Sequence, residues 1–326
     1  MKHYFILNPA AGSGKFVGEL SKKIIEVCTA KKADFHVYVT KRVGDATDFV
    51  RSVCKNLPFG EGARFYSCGG DGTNYEVISG AYGFDSVSVG FVPSGTGNDF
   101  IRCFENGENF CNIEAQLEGE TDRIDLIKCN DRYVMNMLNT GFDCEVAREA
   151  AILKKKPMIS SSTAYIMGVV KKLIEKPTTG FRVSVDGGEW VERSPLLLAT
   201  FSNGRFCGGG FKSSPKARLK SGFIDVCFIK EVTRTKFVSI VSQYRSGEYL
   251  FNEKLSNIID YCRAKTVEVD FGKTRSVCID GEIFDVDRFR LDVLPKALSI
   301  IVPKGSKFAE NESEGCEETI EVVAQR

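Results

Sequence analysis

The chain has 326 residues, of which 43% are hydrophobic and 27% are charged, and its lysines and arginines exceed its acidic residues by one. This length is typical of two domains, and the balanced charge argues against a general nucleic-acid binder. Twelve scattered cysteines without a C-x-x-C pair, and only two histidines, disfavour a zinc site and Ser-His or Cys-His catalysis. They predict reduced thiols in a cytoplasmic protein.

The first 127 residues alternate between buried strands and amphipathic helices. Strands are predicted for HYFILNP, ADFHVYVTK, ARFYSCGG and VSVGFVPSGTGND. Helices are predicted for ELSKKIIEVCTAKK, GDATDFVRSVCKNL and NYEVISGAYG. This alternation predicts an α/β domain built on a parallel sheet, with ligands collecting beyond the carboxyl ends of its strands.

Residues 128–289 have a different pattern, in which short strand-like segments are joined by turns. The pattern predicts a second, mostly antiparallel β-rich domain. Two helical stretches interrupt it, STAYIMGVVKKLIEK and RTKFVSIVSQYRSGEY. The apolar side chains of the first are expected in the core rather than at a membrane, namely Tyr165, Ile166, Val169, Val170 and Leu173. The polar and acidic residues 306–326 are expected to be disordered.

One short stretch, YSCGGDGTNYEV at residues 66–77, concentrates three glycines around Asp71. It falls where a strand ends and a helix begins, so its backbone N–H groups and the helix dipole can receive phosphate oxygens. A tight turn capped by Asp71 or Thr73 would also explain this stretch. Three more glycine-rich turns at comparable strand ends favour phosphate binding: NPAAGSGK, TKRVGDA and PSGTGND. None of these turns matches a Walker A loop or a G-x-G-x-x-G fingerprint.

A set of motifs occurs in a fixed order along the chain: NPAAG, GGDGT, PSGTGNDF, RIDLIK, NTGFD, SNGRFCGGGF followed by SPKA, and IDGE. With these motifs the chain, up to about Pro303, resembles the diacylglycerol kinase catalytic-domain family, specifically its soluble bacterial lipid kinases. NAD kinases and some phosphofructokinases share a GGDGT-like loop, so the whole set in order carries the resemblance.

The resemblance implies a fold and an activity. The activity is ATP- and Mg²⁺-dependent transfer of the γ-phosphoryl group to a lipid hydroxyl, with diacylglycerol or a related lipid as acceptor. The fold is an α/β nucleotide domain joined to a β-rich lipid-substrate domain. A segment at about 290–305 is expected to return to the first domain.

The resemblance also assigns functional residues, motif by motif. Glu282 is implied as the general base on the lipid hydroxyl and Asp71 as the residue near magnesium, while Asp99 and Asp125 join Asn98 in the polar network around the metal. The implied nucleotide-binding residues are Asn8, Pro9, Ala10, Ala11, Gly12, Thr40, Gly69, Gly70, Gly72, Thr73, Glu76, Gly95, Thr96 and Asn98.

Structural roles remain open for the carboxylates. Asp99 can cap a helix, and Asp125 can simply end a strand. Asp280 and Gly281 form a hairpin-turn signal, beside which Glu282 can be solvated.

Two departures from the family pattern matter. Tyr75 stands where the family has an asparagine after GGDGT, which leaves the role of that asparagine open, while Glu76 is kept. Lys220 and Ser221 stand where family members with a structural magnesium in the second domain carry two aspartates. Because that site loses its carboxylates and gains a lysine, we expect the second metal to be absent.

Two other functions stay open, an NAD kinase and a non-catalytic nucleotide-binding sensor of the same fold. The segments NPAAG and GTGND fit a lipid kinase better than an NAD kinase, and the presence of Asp71 and Glu282 argues against a sensor. The pattern does not choose among diacylglycerol, a long-chain base, a polyprenol and a glycolipid, and it leaves a homodimer open.

The chain is expected to lack a signal peptide and a membrane span and to meet its lipid transiently at a membrane surface. The segment ILKKKPMI, with Lys154, Lys155 and Lys156, is a candidate for docking on anionic membranes, although a solvated loop explains it at least as well.

Overall fold

The computed structural model describes residues 1–10, 16–93, 99–153, 161–175 and 177–309. The strands are β1 (Lys2–Leu7), β2 (Phe35–Val39), β3 (Ala63–Gly69), β4 (Val87–Pro93), β5 (Phe104–Glu105), β6 (Glu120–Cys129), β7 (Arg132–Val134), β8 (Met137–Gly141), β9 (Thr179–Val185), β10 (Val191–Ser202), β11 (Ile224–Lys230), β12 (Ile259–Ala264), β13 (Thr266–Ile279), β14 (Glu282–Val302) and β15 (Lys307–Phe308). The α-helices are α1 (Phe16–Ala30), α2 (Asp45–Lys55), α3 (Asp71–Ala81), α4 (Ile113–Leu117), α5 (Phe142–Leu153), α6 (Ser161–Glu175) and α7 (Arg234–Ser246). Short 3-10 helices lie at Phe100–Cys103, Gly107–Cys111, Glu248–Phe251 and Glu253–Leu255.

These elements form two compact units. Unit 1 is Met1–Leu126 together with a return segment that begins at Pro295, and unit 2 is Ile127–Leu294. The chain passes from unit 1 into unit 2 within β6 and comes back within β14. The predicted alternation of the first 93 residues is found as β1–α1–β2–α2–β3–α3–β4, with element ends shifted by a few residues.

Unit 1 is built on a sheet in which β4, β3, β1 and β2 lie side by side in that order. Phe5 of β1 lies opposite Val37 of β2 and opposite Tyr66 of β3, and both pairs run parallel. The end of β14 adds a further parallel neighbour, with Ile300 opposite Val89 of β4. Because parallel strands share one direction, the turns that follow β1 and β3 meet at the same edge of the sheet.

Helices cover both faces of the unit 1 sheet, because successive side chains of a strand point to opposite faces. Phe5 packs in a core with Leu20 of α1 and stacks on Tyr66, with ring centroids 4.4 Å apart. The neighbouring Tyr4 instead contacts Phe49 of α2, with ring centroids 6.0 Å apart. With both faces covered, the strand ends are the places where backbone groups remain available to a ligand.

Unit 2 is built on antiparallel pairs in the order β12–β11–β10–β8–β13–β14, and β9 pairs with both β10 and β13. Successive side chains of β10 and β11 point to opposite faces of the sheet and so contribute to two separate cores. Phe201 and Phe228 lie in a core formed by side chains of the strands, whereas Leu198 and Ile229 pack with residues of α5 and α7. Helices therefore cover one face of this sheet.

Three features differ from the sequence-based predictions. Helix α5, which begins at Phe142 within the NTGFD motif, is missing from the prediction. The expected core position of α6 is wrong for Ile166 and Val170, which are 63% and 54% exposed, because α6 packs against α5 through its small residues. Lys307–Phe308, predicted to belong to a disordered tail, instead form β15 and pair with β5, while residues 310–326 lie outside the described ranges.

Candidate functional site

The glycine-rich stretch forms the junction of β3 and α3. Gly70 precedes the helix in an extended conformation, with φ −103° and ψ −165°, so neither Asp71 nor Thr73 takes the capping position. The N–H groups of the first helical residues, Asp71, Gly72 and Thr73, have no acceptor within the helix. A Cβ atom at Gly70 would meet no other atom within 4 Å, so the space beside this turn is open where the structure describes it. An accessible helix N-terminus of this kind suits a phosphate group.

Asn8, Gly69 and Thr73 meet at the ends of β1 and β3. The Asn8 side chain donates to Thr73 Oγ1 at 3.0 Å and accepts from the N–H of Ala10 at 2.9 Å. Gly69 permits this contact, because a Cβ atom there would overlap the Thr73 side chain. Asn8 thus ties the loop after β1 to the first turn of α3. The same loop contains Pro9 and Ala10, which are exposed, whereas Ala11 and Gly12 lie outside the described residues.

Glu76 contacts backbone amides of its own protein. Its Oε1 accepts from the N–H of Gly44 at 2.8 Å, and its Oε2 accepts from the N–H of Ala46 at 3.1 Å. Both amides lie at the start of α2, so Glu76 satisfies donors that the helix leaves open and places a negative charge at its N-terminus. This structural role was not expected from the sequence, and the predicted contact of Glu76 with nucleotide stays a prediction.

Thr40 lies at the end of β2, at the same edge of the sheet as Asn8. It is buried, and its N–H donates to the carbonyl of Leu7 at 2.9 Å. Of the third glycine-rich turn, Gly95, Thr96 and Asn98 lie outside the described residues. Their predicted roles stay predictions.

Asp71, Asp99 and Asp125 occupy three different settings in unit 1. Asp71 is exposed at the first residue of α3. Asp99 precedes the 3-10 helix without capping it through its side chain, and its Oδ1 lies 3.5 Å from Arg102 Nε. Asp125 is buried on β6, where its Oδ1 accepts from the N–H of Lys296 at 2.8 Å. Asp125 therefore holds the backbone of β14 where Lys296 adopts a left-handed φ of 51°.

No three histidine, cysteine, aspartate or glutamate side chains converge as metal ligands in the ranges that the structure describes. A magnesium ion bound with a nucleotide would need only one or two carboxylates, because phosphate oxygens and water complete its coordination. Asp71 is the candidate carboxylate, since it is exposed beside the open helix N-terminus. The expected loss of a second metal near Lys220 stays a prediction.

Histidine and cysteine chemistry finds little support in the described residues. His3 is half-buried and hydrogen-bonded to Tyr66 Oη at 2.9 Å, and burial lowers the pKa of its imidazole to about 4. Burial raises the pKa of the Cys54 thiol to about 11 and that of Cys227 to about 12. Thiols that stay protonated at neutral pH are poor nucleophiles.

Glu282 is the exposed first residue of β14, directly after the turn formed by Asp280 and Gly281. Both turn residues have positive φ, 45° and 88°, which is the geometry of the tight hairpin that the sequence indicated. Glu282 pairs across the hairpin with Ile279. The hairpin therefore presents the Glu282 carboxylate at its tip.

The Asp280 carboxylate fastens this hairpin to the chain before β8. Its oxygens accept three backbone N–H groups, from Met135 at 2.7 Å, Asn136 at 3.0 Å and Met137 at 2.8 Å. Burial raises the pKa of Asp280 to about 6, although the three N–H donors act in the opposite direction. These three contacts fix the turn that directly precedes Glu282.

The SNGRF motif joins the same network. The Asn203 side chain donates to the carbonyl of Met135 at 2.8 Å, and the N–H groups of Asn203 and Gly204 donate to the carbonyl of Asn136 at 2.9 and 2.8 Å. In return, the Asn136 side chain donates to the carbonyl of Phe206 at 2.7 Å. Two motifs far apart in sequence, SNGRF and IDGE, are thereby held on one short segment of unit 2.

Unit 2 also contains an apolar pocket between its sheet and its helices, with about 580 Å³ of empty space that is partly open to solvent. Helices α5, α6 and α7 and strands β10 and β11 supply its walls, including Phe142, Val169, Leu198, Ile229, Phe237 and Ile240. Concave pockets with mostly apolar walls are typical ligand sites. The walls suit hydrocarbon and offer few groups to a phosphate.

Asp143 and Tyr244 provide a polar point in this pocket. The Tyr244 hydroxyl donates to Asp143 Oδ2 at 2.7 Å, and both residues line the pocket. Burial raises the pKa of Asp143 to about 6, partly offset by the bond from Tyr244. A hydroxyl or amine of a mostly apolar ligand would find a hydrogen-bond acceptor here.

Comparison with known families gives two matches that together cover most of the chain. Residues 2–129 match the family model described as the diacylglycerol kinase catalytic domain. Residues 136–302 match the model described as the YegS C-terminal NAD kinase beta sandwich-like domain. The second match alone spans more than half of the 326 residues.

Similar proteins include a protein named diacylglycerol kinase from Staphylococcus saprophyticus, 28% identical over 282 residues, which covers 85% of this chain and 87% of that protein. A diacylglycerol kinase from Staphylococcus aureus strain MRSA252 is 26% identical over 282 residues, 85% of this chain and 84% of that protein. The fold resembles a crystal structure of a diacylglycerol kinase from Bacillus anthracis strain Sterne, with a TM-score of 0.67 and 20% identity over 92% of this chain and 96% of that one. None of the helices in the described ranges has the length and apolar character to cross a membrane.

Proposed function

The chain belongs to the diacylglycerol kinase catalytic-domain family, and from this premise we propose that it transfers the γ-phosphoryl group of magnesium-bound ATP to a lipid hydroxyl. The observation that carries the lipid part of the proposal is the apolar pocket of unit 2. An acyl or prenyl chain matches its walls, and the Asp143–Tyr244 pair can orient a polar group of the same molecule. We propose diacylglycerol or a related lipid as the acceptor, in line with the names of the similar proteins.

The proposed reaction gives the phosphates and the proton to different residues. The open N-terminus of α3, from Gly70 to Thr73, would hold phosphate oxygens, and magnesium would neutralise charge on them. The lipid hydroxyl oxygen attacks the γ-phosphorus, the bond from that phosphorus to the bridging oxygen of ADP breaks, and the hydroxyl proton passes to the Glu282 carboxylate. Phosphoryl transfer depends on positioning and charge neutralisation more than on covalent catalysis. A chain with only two histidines can therefore catalyse it.

The alternative functions fit the observations less well. An NAD kinase must hold a charged dinucleotide as acceptor, for which the apolar walls of the unit 2 pocket offer little. A non-catalytic sensor has no use for a fastened hairpin that presents an exposed carboxylate at its tip. Lipid phosphorylation would use both the apolar pocket and the carboxylate at the tip of the hairpin.

A phosphate-transfer screen tests the proposal. The purified protein is incubated with γ-labelled ATP, magnesium and, separately, diacylglycerol, a long-chain base, a polyprenol, a glycolipid and NAD. We expect label in the organic phase with at least one lipid and none in NADP. Label in NADP alone would establish the NAD kinase, and ATP binding without any transfer would favour the sensor.

Replacing Asp71 by asparagine is expected to abolish the magnesium-dependent part of nucleotide binding without unfolding the protein. The Asp71 side chain is exposed at the start of α3, so it contributes little to the core. ATP at 100 times its Kd stabilises a folded protein by about 2.7 kcal/mol. Thermal unfolding of parent and variant, with ATP in the presence and absence of magnesium, measures the effect.

Asp85→Asn is the matched control, because Asp85 is another exposed acidic residue of unit 1, paired with Arg123. It should keep the parental response to magnesium. An Asp71→Asn protein whose melting temperature still rises on adding magnesium to the ATP complex would remove Asp71 from the metal site.

A further inference from the structure

Helix α6 exposes a ridge of large apolar side chains. The α6 ridge consists of Ile166, Met167, Val170 and Ile174, which are 63%, 44%, 54% and 67% exposed. At 3.6 residues per turn these positions lie within about one third of the helix circumference. Scattered exposed apolar residues are ordinary, but a continuous ridge on one helix face indicates an interaction surface.

The packing of α6 on α5 explains why the ridge faces outward. Ala164 is fully buried in a small cluster with Ala150 and Leu153 of α5. Gly168 lies so close to α5 that a Cβ atom there would sit 3.1 Å from the carbonyl oxygen of Val146. The small residues of α6 thus form its inner face, and turning the ridge inward would insert branched side chains where only Ala and Gly fit.

Polar contacts fix the same orientation. Lys171 Nζ lies 2.7 Å from Glu149 Oε2 of α5, and Lys172 Nζ lies 3.3 Å from Glu145 Oε2. At the same, C-terminal end of α6, Arg234 of α7 donates to the carbonyls of residues 173 and 174, at 3.2 and 2.5 Å. These contacts anchor the helix from two sides and keep the ridge exposed.

The ridge lies beside the residue that α6 contributes to the apolar pocket. Val169 lines the pocket, and it neighbours Ile166 of the ridge at a spacing of three residues on α6. Helices α5 and α7 also line it, and each exposes a large apolar side chain of its own, Ile152 at 52% and Val238 at 58%. Each of the three α-helices that line the pocket therefore also exposes a large apolar side chain.

We propose that the α6 ridge docks on the surface of a lipid bilayer. The proposal rests on the proposed function, since a lipid substrate must leave a bilayer to enter a pocket. The nearness of the ridge to the pocket wall at Val169 favours this partner, because docking there would bring the membrane close to the pocket. The segment with Lys154–Lys156 lies outside the described residues, so the proposal makes no use of it.

The full-length triple variant Ile166→Gln, Val170→Gln, Ile174→Gln tests the ridge. Glutamine is a good helix former, and these side chains are exposed, so the fold should persist. We expect the partition coefficient onto vesicles of phosphatidylcholine and phosphatidylglycerol in equal parts to fall about tenfold or more, because the apolar face no longer enters the interface. The vesicles contain no acceptor lipid and the assay no ATP, so the result is independent of kinase activity.

Two single variants give a matched comparison. Ile174→Gln should weaken vesicle binding, whereas Phe59→Gln, which removes a fully exposed aromatic ring from unit 1, should leave it unchanged.

Sedimentation velocity, which reports the oligomeric state, supplies the second readout. Parental vesicle binding by the triple variant would overturn the proposal, and so would a dimeric parent that the triple variant converts to monomer, because a second copy would then cover the ridge. Lost vesicle binding combined with no lipid phosphorylation by the parent would reject the proposed function and leave the docking surface standing.

Discussion

Replacing Glu282 by glutamine is expected to lower the turnover number about 10²- to 10⁴-fold, the usual loss when a general base is removed. The exchange keeps the size of the side chain at the first residue of β14 but removes the carboxylate that would accept the hydroxyl proton. Since Glu282 is exposed, the variant should fold normally and bind ATP like the parent. Steady-state kinetics on the lipid identified in the screen, together with ATP titration by calorimetry, measure both quantities.

Asp287→Asn is the matched control for this experiment. Asp287 is another exposed acidic residue of β14, and its carboxylate accepts a hydrogen bond from the Thr274 hydroxyl at 2.5 Å. Removing its charge should leave turnover within a factor of about two, since surface changes of this kind have small effects. If Glu282→Gln retained the parental turnover number, the proton would have to leave by another route and the assignment of the base would fail.

The α/β part of the fold could be predicted because its signals are local. Apolar periodicity placed α1, α2 and α3 within a few residues, and the runs around Phe5, Phe65 and Val89 placed their strands. The turn that carries Asp71 follows from glycine spacing at a strand end, and the structure places it there. Such features depend on residues close together in sequence, which is the information that a pattern contains.

The features that escaped prediction depend on contacts between distant segments. Glu76 caps α2 from a position 30 residues away from Ala46, and no local pattern reveals which helix a glutamate will cap. Helix α6 shows the same limit. Its apolar periodicity predicts that the large apolar side chains are buried. The face that is buried instead carries Gly168, which allows α5 to approach closely.

Asp280 is the clearest case of a role that needed the structure. In sequence it is half of an Asp-Gly turn, and that prediction is confirmed by its φ of 45°. Its carboxylate also reaches a segment 143 to 145 residues earlier, where it accepts three backbone N–H groups. A turn residue chosen only for its backbone conformation could be asparagine or glycine, but neither can accept all three bonds.

Replacing Asp280 by alanine is therefore expected to cost about 2–5 kcal/mol of unfolding free energy and to lower turnover in the molecules that remain folded. An unsatisfied buried N–H group costs about 1–3 kcal/mol, and water at the hairpin can reach some of the three donors. Turnover falls because the hairpin that carries Glu282 loses its attachment to Met135, Asn136 and Met137. Urea unfolding gives the first quantity, and kcat measured well below the unfolding transition gives the second.

Two further variants separate positioning from stability. Ile224→Ala opens a cavity in the unit 2 core, where Ile224 is fully buried, and should cost a similar 2–5 kcal/mol while leaving kcat unchanged. Asp280→Asn keeps an oxygen for the two amides that Oδ1 now serves, Asn136 and Met137, and should recover part of the turnover lost in Asp280→Ala. Equal kcat in Asp280→Ala and Ile224→Ala would show that Asp280 contributes stability alone. A lower kcat in Asp280→Ala, with partial recovery in Asp280→Asn, would tie the rate to the attachment that orients Glu282.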